Sequence, residues 1–190
     1  MKTSPGFKTV ADFSRPLDFL FHCHQKIAAS LEALRRATAE LHEAAEPEFA
    51  ETLATIDTVL IHLKTAGKKH TADEEESLFP RLRLYKDDVV SEVFEVLDQL
   101  EAQHKRAASI ENSLSKLVVN LQACDTPEEG KLALFGDLGE SLYDLYRPHI
   151  QMENEFVFPA AAEILSREDL HSMGREIFQR RQLKIVRSKS

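Results

Sequence analysis

Four stretches of the chain place apolar residues at spacings that alternate between three and four, the signature of one helix face turned to a core. The first reads Leu17, Leu20, His24, Ile27, Leu31, Leu34, Thr38, Leu41. Pro16 fits its first turn, with Ser14 or Arg15 near the cap, and Glu46-Pro47 ends it. The second reads Phe49, Leu53, Ile56, Leu60, Leu63 and continues through Gly67, His70, Glu74 and Ser77. Gly67 is expected to loosen or interrupt it, and Phe79-Pro80 sits near its end. The third runs Val93, Leu97, Leu100, His104, Ala107, Glu111, Leu114, Val118, Leu121. Thr126 can then cap a fourth helix with Pro127 in first position. That helix reads Phe135, Leu138, Leu142, Leu145, His149, Glu153, Phe156, Ala160, and Pro148 should kink it. Ser166-Arg167-Glu168-Asp169 has the form of a capping box for a further helix bearing Leu170, Met173 and Ile177. After Gln179 the chain turns basic and is expected to fray as a solvated tail. No segment alternates at period two for long enough to make a strand. The predicted fold is all-α: an antiparallel up-down four-helix bundle over 16–165. An N-terminal arm over 1–15 precedes it, and a short extra C-terminal helix and basic tail over 166–190 follow.

Composition narrows the function. A chain of 190 residues with 43% hydrophobic and 29% charged side chains can bury a core without cross-links, which argues against disorder. No apolar run approaches a membrane span, and the first 20 residues have no apolar signal region. The two cysteines, Cys23 and Cys124, form no CxxC, so a reducing cytoplasm is expected. The net charge of −8, with no basic helix-length stretch, argues against nucleic acid as a partner.

The chain also repeats itself. At an offset of 80, His24 meets His104, Ala28 meets Ala108, Leu34 meets Leu114 and Leu41 meets Leu121. At 79, His70 meets His149, Glu74 meets Glu153, Glu76 meets Glu155, and Phe79-Pro80 meets Phe158-Pro159. Each half is a helical hairpin carrying one His, then His-x3-Glu.

Each of the four seams therefore contains a His. Burying an uncompensated polar group costs roughly 2–7 kcal/mol, so one core His is unremarkable but four at matched depth need a reason. A spacing of four sets each Glu one turn from its His on the same face. No Lys or Arg shares those seams to balance the carboxylates, and metal ions would. Carboxylate plus imidazole suits Fe, Mn or Zn rather than Ca or Mg, and six ligands exceed what one zinc takes. Two metals, each held by two His and bridged by two carboxylates, would leave positions for a solvent-derived bridge and for a small ligand.

The pattern H…HxxxE…H…HxxxE resembles the hemerythrin-like (HHE cation-binding) domains over roughly residues 16–165. The most specific stretches are His70-Thr-Ala-Asp-Glu74-Glu75-Glu76-Ser-Leu-Phe79-Pro80 and His149-Ile-Gln-Met-Glu153-Asn-Glu155-Phe-Val-Phe158-Pro159. The resemblance implies a non-haem di-iron centre, oxo- or hydroxo-bridged, with Zn or Mn as substitutes. It implies His24, His70, His104 and His149 as terminal ligands and Glu74 and Glu153 as bridges. The oxygen-carrying hemerythrins have a fifth His four residues after the third-helix ligand. This chain has Ala108 there and Ala28 at the equivalent place on the first helix, both expected to face the site. That opening favours redox chemistry or sensing over reversible oxygen carriage. The expected partners are dioxygen, nitric oxide or peroxide, with the chain a monomer or a homodimer. Turnover, if any, would be that of a di-iron oxidoreductase such as peroxide decomposition. The alternative is a non-catalytic oxygen or iron sensor, or an iron-handling module.

Other polar residues carry weaker signals. His22 lies on another helix face from His24 and reads as a surface residue. Glu75, Glu76 and Glu155 read as exposed charges or as acceptors behind the ligands. Tyr146, three residues before His149, reads first as a core tyrosine and second as a hydrogen-bond donor to a metal-bound ligand. Glu101 and His104 form the ExxH of ferritin-like proteins, a minor alternative. Glu111, two turns beyond His104, is too far along the axis to ligate the same centre and is expected to snorkel to solvent. His42, His62 and His171 have no evident partners.

Overall fold

The computed structural model describes residues 13–41, 48–85, 88–124 and 128–187, with side chains left undescribed at 88–92 and 182–187. Five helices account for nearly all of it. Helix α1 is Pro16–Leu41. Helix α2 is a composite of Glu48–His62, Leu63–Gly67, Lys68–Asp73, Glu74–Leu78 and Phe79–Leu82. Helix α3 is Asp88–Gln122. Helix α4 combines Glu129–Met152, Glu153–Val157 and Phe158–Ile164, and α5 is Arg167–Arg187. No strand occurs among the described residues. Helix α1 packs on α2 and α4, and α3 packs on the same two, which closes an up-down four-helix bundle. The expected end of the first helix at Glu46-Pro47, the Thr126/Pro127 cap, His42 and most of the N-terminal arm lie outside the described residues.

The buried face of α1 (Leu20, His24, Ile27, Leu31, Leu34, Thr38 and Leu41) follows the stripe read from sequence. Two apolar layers result. One contains Ile27, Leu34, Ile56, Leu60, Leu114 and Phe135. The other contains Leu20, Phe79, Leu97, Leu100, Val157 and Ile177. Every helix of the bundle crosses from one layer to the other, and the four seam histidines fall at the crossing. A polar stratum is thus sandwiched between two dry ones.

Three segments leave α geometry for a π-turn: Leu63–Gly67, Glu74–Leu78 and Glu153–Val157. Gly67 closes the first, so the glycine loosens the helix without interrupting it. The other two were not foreseen, and the repeated prolines explain them. Pro80 and Pro159 offer no N–H, and in an α-helix their rings would press on the carbonyls of Glu76 and Glu155. Widening the preceding turn by one residue relieves that clash. The Phe79 N–H accordingly donates to the Glu74 carbonyl, five residues back, and the Phe158 N–H donates to that of Glu153. Pro148, expected to kink its helix, lies within the α-helical segment Glu129–Met152.

Helix α5 begins as read. The Asp169 N–H donates to Ser166 Oγ and the Ser166 N–H donates to the Asp169 carboxylate, both at 3.1 Å. It does not fray at Gln179. It continues to Arg187, and Arg180 and Arg181 are half-buried against α2 instead of belonging to a solvated tail. Met173 and Ile177 cover the second apolar layer. The helix approaches so closely that a Cβ at Gly174 would lie 2.0 Å from the carbonyl oxygen of Phe13. Gly174→Ala must push backbone, not a flexible tip. Its expected cost is about 1–3 kcal/mol, read as a lowered denaturation midpoint.

Candidate metal centre

The structure brings all six predicted side chains together. His24, His70, His104 and His149 are buried, and Glu74 and Glu153 are fully so. His24 Nε2 lies 3.0 Å from Glu153 and 3.5 Å from Glu74. His70 Nε2 lies 3.2 Å from Glu74, and His149 Nε2 lies 3.2 Å from Glu153. His104 Nε2 is 3.6 Å from Glu74. The rings pair within each half of the repeat, His24 with His70 and His104 with His149, each with centroids 4.6 Å apart. Two groups of ligand atoms emerge, each able to hold a metal ion. One is His24, His70, Glu74 and Glu153; the other is His104, His149 and Glu153.

These close approaches do not satisfy the groups involved. Nε2 of His24, His70 and His104 and both oxygens of Glu74 and Glu153 have no hydrogen-bond partner. Orphaned buried polar atoms normally cost about 1–3 kcal/mol each. Seven of them converging on one point, all of kinds that ligate transition metals, fit a cation between them.

The outer nitrogens explain how the rings are aimed. Nδ1 of His24 is 2.7 Å from Asn154 Oδ1, that of His104 is 2.9 Å from Glu75 Oε1, and that of His149 is 2.8 Å from Gln103 Oε1. An oxygen acceptor there fixes the proton on Nδ1 and leaves the Nε2 lone pair pointing inward. His70 Nδ1 has no such partner. Glu75 thus serves as an acceptor behind a His, as one of its two sequence readings held. Asn154 and Gln103 were missed. Each adjoins a motif residue, but its helical face alone does not show that it will meet a His of another helix.

Electrostatics without a cation show the strain. Burial works against a charge on His24, yet Glu153 and Glu74 outweigh it and push the imidazole up to about 10. Burial, aided by the charge of Glu153, raises Glu74 to about 8. Glu153 is held well below the carboxylate range: burial pushes it up, but His149 and His24 prevail. His70 is driven well below its usual value by burial and then by the charge on His24. His104 is lowered by burial and by His149.

Asp73, also missed, is fully buried beside Glu74 and is gripped by Arg180 and Arg181 of α5. Burial still lifts its carboxyl above the usual range, against the pull of Arg181. Glu76 pairs with Arg180 at 3.2 Å, and Glu155 accepts from Gln151 at 3.0 Å. Glu101 turns to Arg83 at 3.0 Å, so the ExxH carboxylate is spent on an ion pair outside the cluster. His22, His62 and His171 are exposed.

Two expectations need correction. Glu111 does not snorkel. It is buried and accepts the Tyr146 hydroxyl at 3.4 Å. Burial pushes its carboxyl up to about 7, opposed by the Tyr146 bond and by Lys64. Ala28 and Ala108 do not point into the centre. Both are exposed, and the interior positions one turn beyond the histidines belong to Ile27 and Ala107. A helix turns 400° in four residues and 300° in three, so i+3 and i+4 flank the ligand's direction and packing decides which is buried.

No curated protein is similar enough to the chain to match it. A family model does match, that of the hemerythrin HHE cation-binding domain, over residues 15–161. That span takes in all four helices of the bundle and all six converging side chains, and the chain belongs to the hemerythrin HHE cation-binding family.

Proposed function

We propose that the cluster holds a non-haem di-iron centre that binds or reacts with dioxygen, peroxide or nitric oxide. The observation carrying this reading is that two ligand groups share Glu153, so one carboxylate serves both positions. His24 and His70 would hold one ion and His104 and His149 the other, with Glu74 and Glu153 between them. When bound, the iron pair would supply one-electron redox chemistry and open coordination positions. The chain supplies the rest. Asn154, Glu75 and Gln103 hold three imidazoles in one tautomer, and the apolar layers above and below exclude bulk water.

Metal analysis with an absorption spectrum of the purified chain tests the reading. About two iron ions per chain and a charge-transfer band in the near ultraviolet are expected. One tightly held zinc with no reducible metal would overturn it. Peroxide consumption by the iron-loaded chain then separates an oxidoreductase from a sensor or an iron-handling module.

A further inference from the structure

Two surface cavities flank the polar stratum, and the internal repeat relates them. One is lined by Ala28, Leu31, Glu32, Tyr143, Arg147 and Ile150, among others. The 80- and 79-residue offsets turn these into Ala108, Glu111, Asn112, Lys64, Lys68 and Thr71, and all six line the other cavity. Duplicated walls make the differences informative. The second cavity, about 280 Å³, includes the ligand candidate His104 in its wall. The first does not include His24, its counterpart, and stops at Asn154 behind that ring.

The two walls differ most at one repeat position. Gly67 lines the second cavity, and its counterpart at the 79-residue offset is Tyr146, which reaches across to line the same cavity. Tyr146 is buried with its ring edge-on to His149, 5.7 Å between centroids. At Gly67 no side chain fills the corresponding room. A Cβ built there meets nothing within 4 Å. The π-turn that Gly67 closes gives this wall a shape that α4 lacks at Tyr146. The lining chemistry differs too. Glu111, paired with the Tyr146 hydroxyl, stands where the other cavity has Leu31. Lys64 and Lys68 flank it, where the other cavity has Tyr143 and Arg147.

We propose that the cavity beside His104 is the port by which small polar ligands of the size of hydrogen peroxide or azide reach the His/Glu cluster. Gly67 keeps it open, and the Glu111–Tyr146 pair is its hydrogen-bonding wall. The Ala28 cavity is a duplicate whose lining stops short of His24. The chemical use of the port rests on the di-iron reading; its existence does not.

The experiment has two arms so that the two can fail separately. In the metal-free chain, dissolved dioxygen serves as a paramagnetic NMR probe of accessibility. Relaxation enhancement of the imidazole protons is expected to be several-fold larger at His104 than at His24. Gly67→Leu, whose side chain grows into open space, should abolish the difference, while Ala28→Leu should leave it. Equal enhancement at both rings, or no effect of Gly67→Leu, overturns the port whatever metal the chain holds. In the iron-loaded chain at matched metal content, the azide association rate should fall at least tenfold in Gly67→Leu and be unchanged in Ala28→Leu. Glu111→Leu should also slow azide while leaving the dioxygen probe's access in place, because it removes the polar wall without filling the port. Unchanged azide rates in Gly67→Leu would overturn the port as the ligand route.

Discussion

Glu153→Ala is expected to cost the chain most of its metal and the stability that metal confers, while leaving it helical. Glu153 belongs to both candidate ligand groups, so its loss weakens both positions at once. Removing a partner behind a ligand typically costs about 10–100-fold in affinity, and a shared ligand should cost more. Metal that binds only the folded chain stabilises it by about 4 kcal/mol at 1,000 times its dissociation constant. For a chain of this size that is roughly 8–16 °C in melting temperature. Calorimetry of metal-loaded and metal-free protein should show that gap in wild type and a near-zero gap in Glu153→Ala. Full metal content in the variant would remove Glu153 from the centre.

The same cluster sets a pH dependence. Glu74, raised to about 8, and His24, raised to about 10, both retain protons at neutral pH that a cation would displace. Metal binding should therefore release protons and strengthen as pH rises. In the metal-free chain the sign is opposite. His24 contributes stability that is complete below its unfolded value near 6.5 and is lost as pH rises through about 10. Glu74 loses stability as pH rises from its ordinary 4.5 through about 8, because its charged form is the disfavoured one. The gap between loaded and metal-free melting temperatures should widen from pH 6 to pH 9.

Removing both arginines that grip Asp73 is expected to have the second large effect. Asp73 is fully buried, and Arg180 and Arg181 are the cations that reach it among the described residues. In Arg180→Ala/Arg181→Ala a buried carboxylate loses its counter-charges, which costs about 3–5 kcal/mol when one partner of a buried pair is deleted. Arg181 also lies 4.8 Å over the Phe19 ring, so part of the loss is packing between α5 and α1. The double variant should release α5, seen as new proteolysis between Arg167 and Arg187 and a lowered denaturation midpoint. Asp73→Asn in the same background should recover part of the loss, since the neutral amide no longer needs a cation. Unchanged stability in the double variant would mean that Met173 and Ile177 alone hold the helix.

The bundle and the six converging side chains were legible because both follow from periodicity within one helix. Spacings of three and four select a face, burial of that face is what stabilises the helix, and a His or Glu on it has nowhere to go but the interior. The duplication then matched the depths of the two halves. What happens between helices was not legible. Asn154 and Gln103 sit beside motif residues, yet only the rotation of α4 against α1, and of α3 against α4, makes them acceptors for His24 and His149. Ala28 and Ala108 share their direction about equally with Ile27 and Ala107, and packing settled which pair went inside. The persistence of α5 to Arg187 looked unfavourable in a basic stretch until Asp73 supplied the opposite charge from a residue more than 100 positions away. Likewise Glu111 reads as a solvated charge on its own helix and becomes a buried one only because Tyr146 arrives from α4. Local periodicity determines which face is buried. The partner met there depends on the relative rotation and axial offset of packed helices, which no single helix encodes.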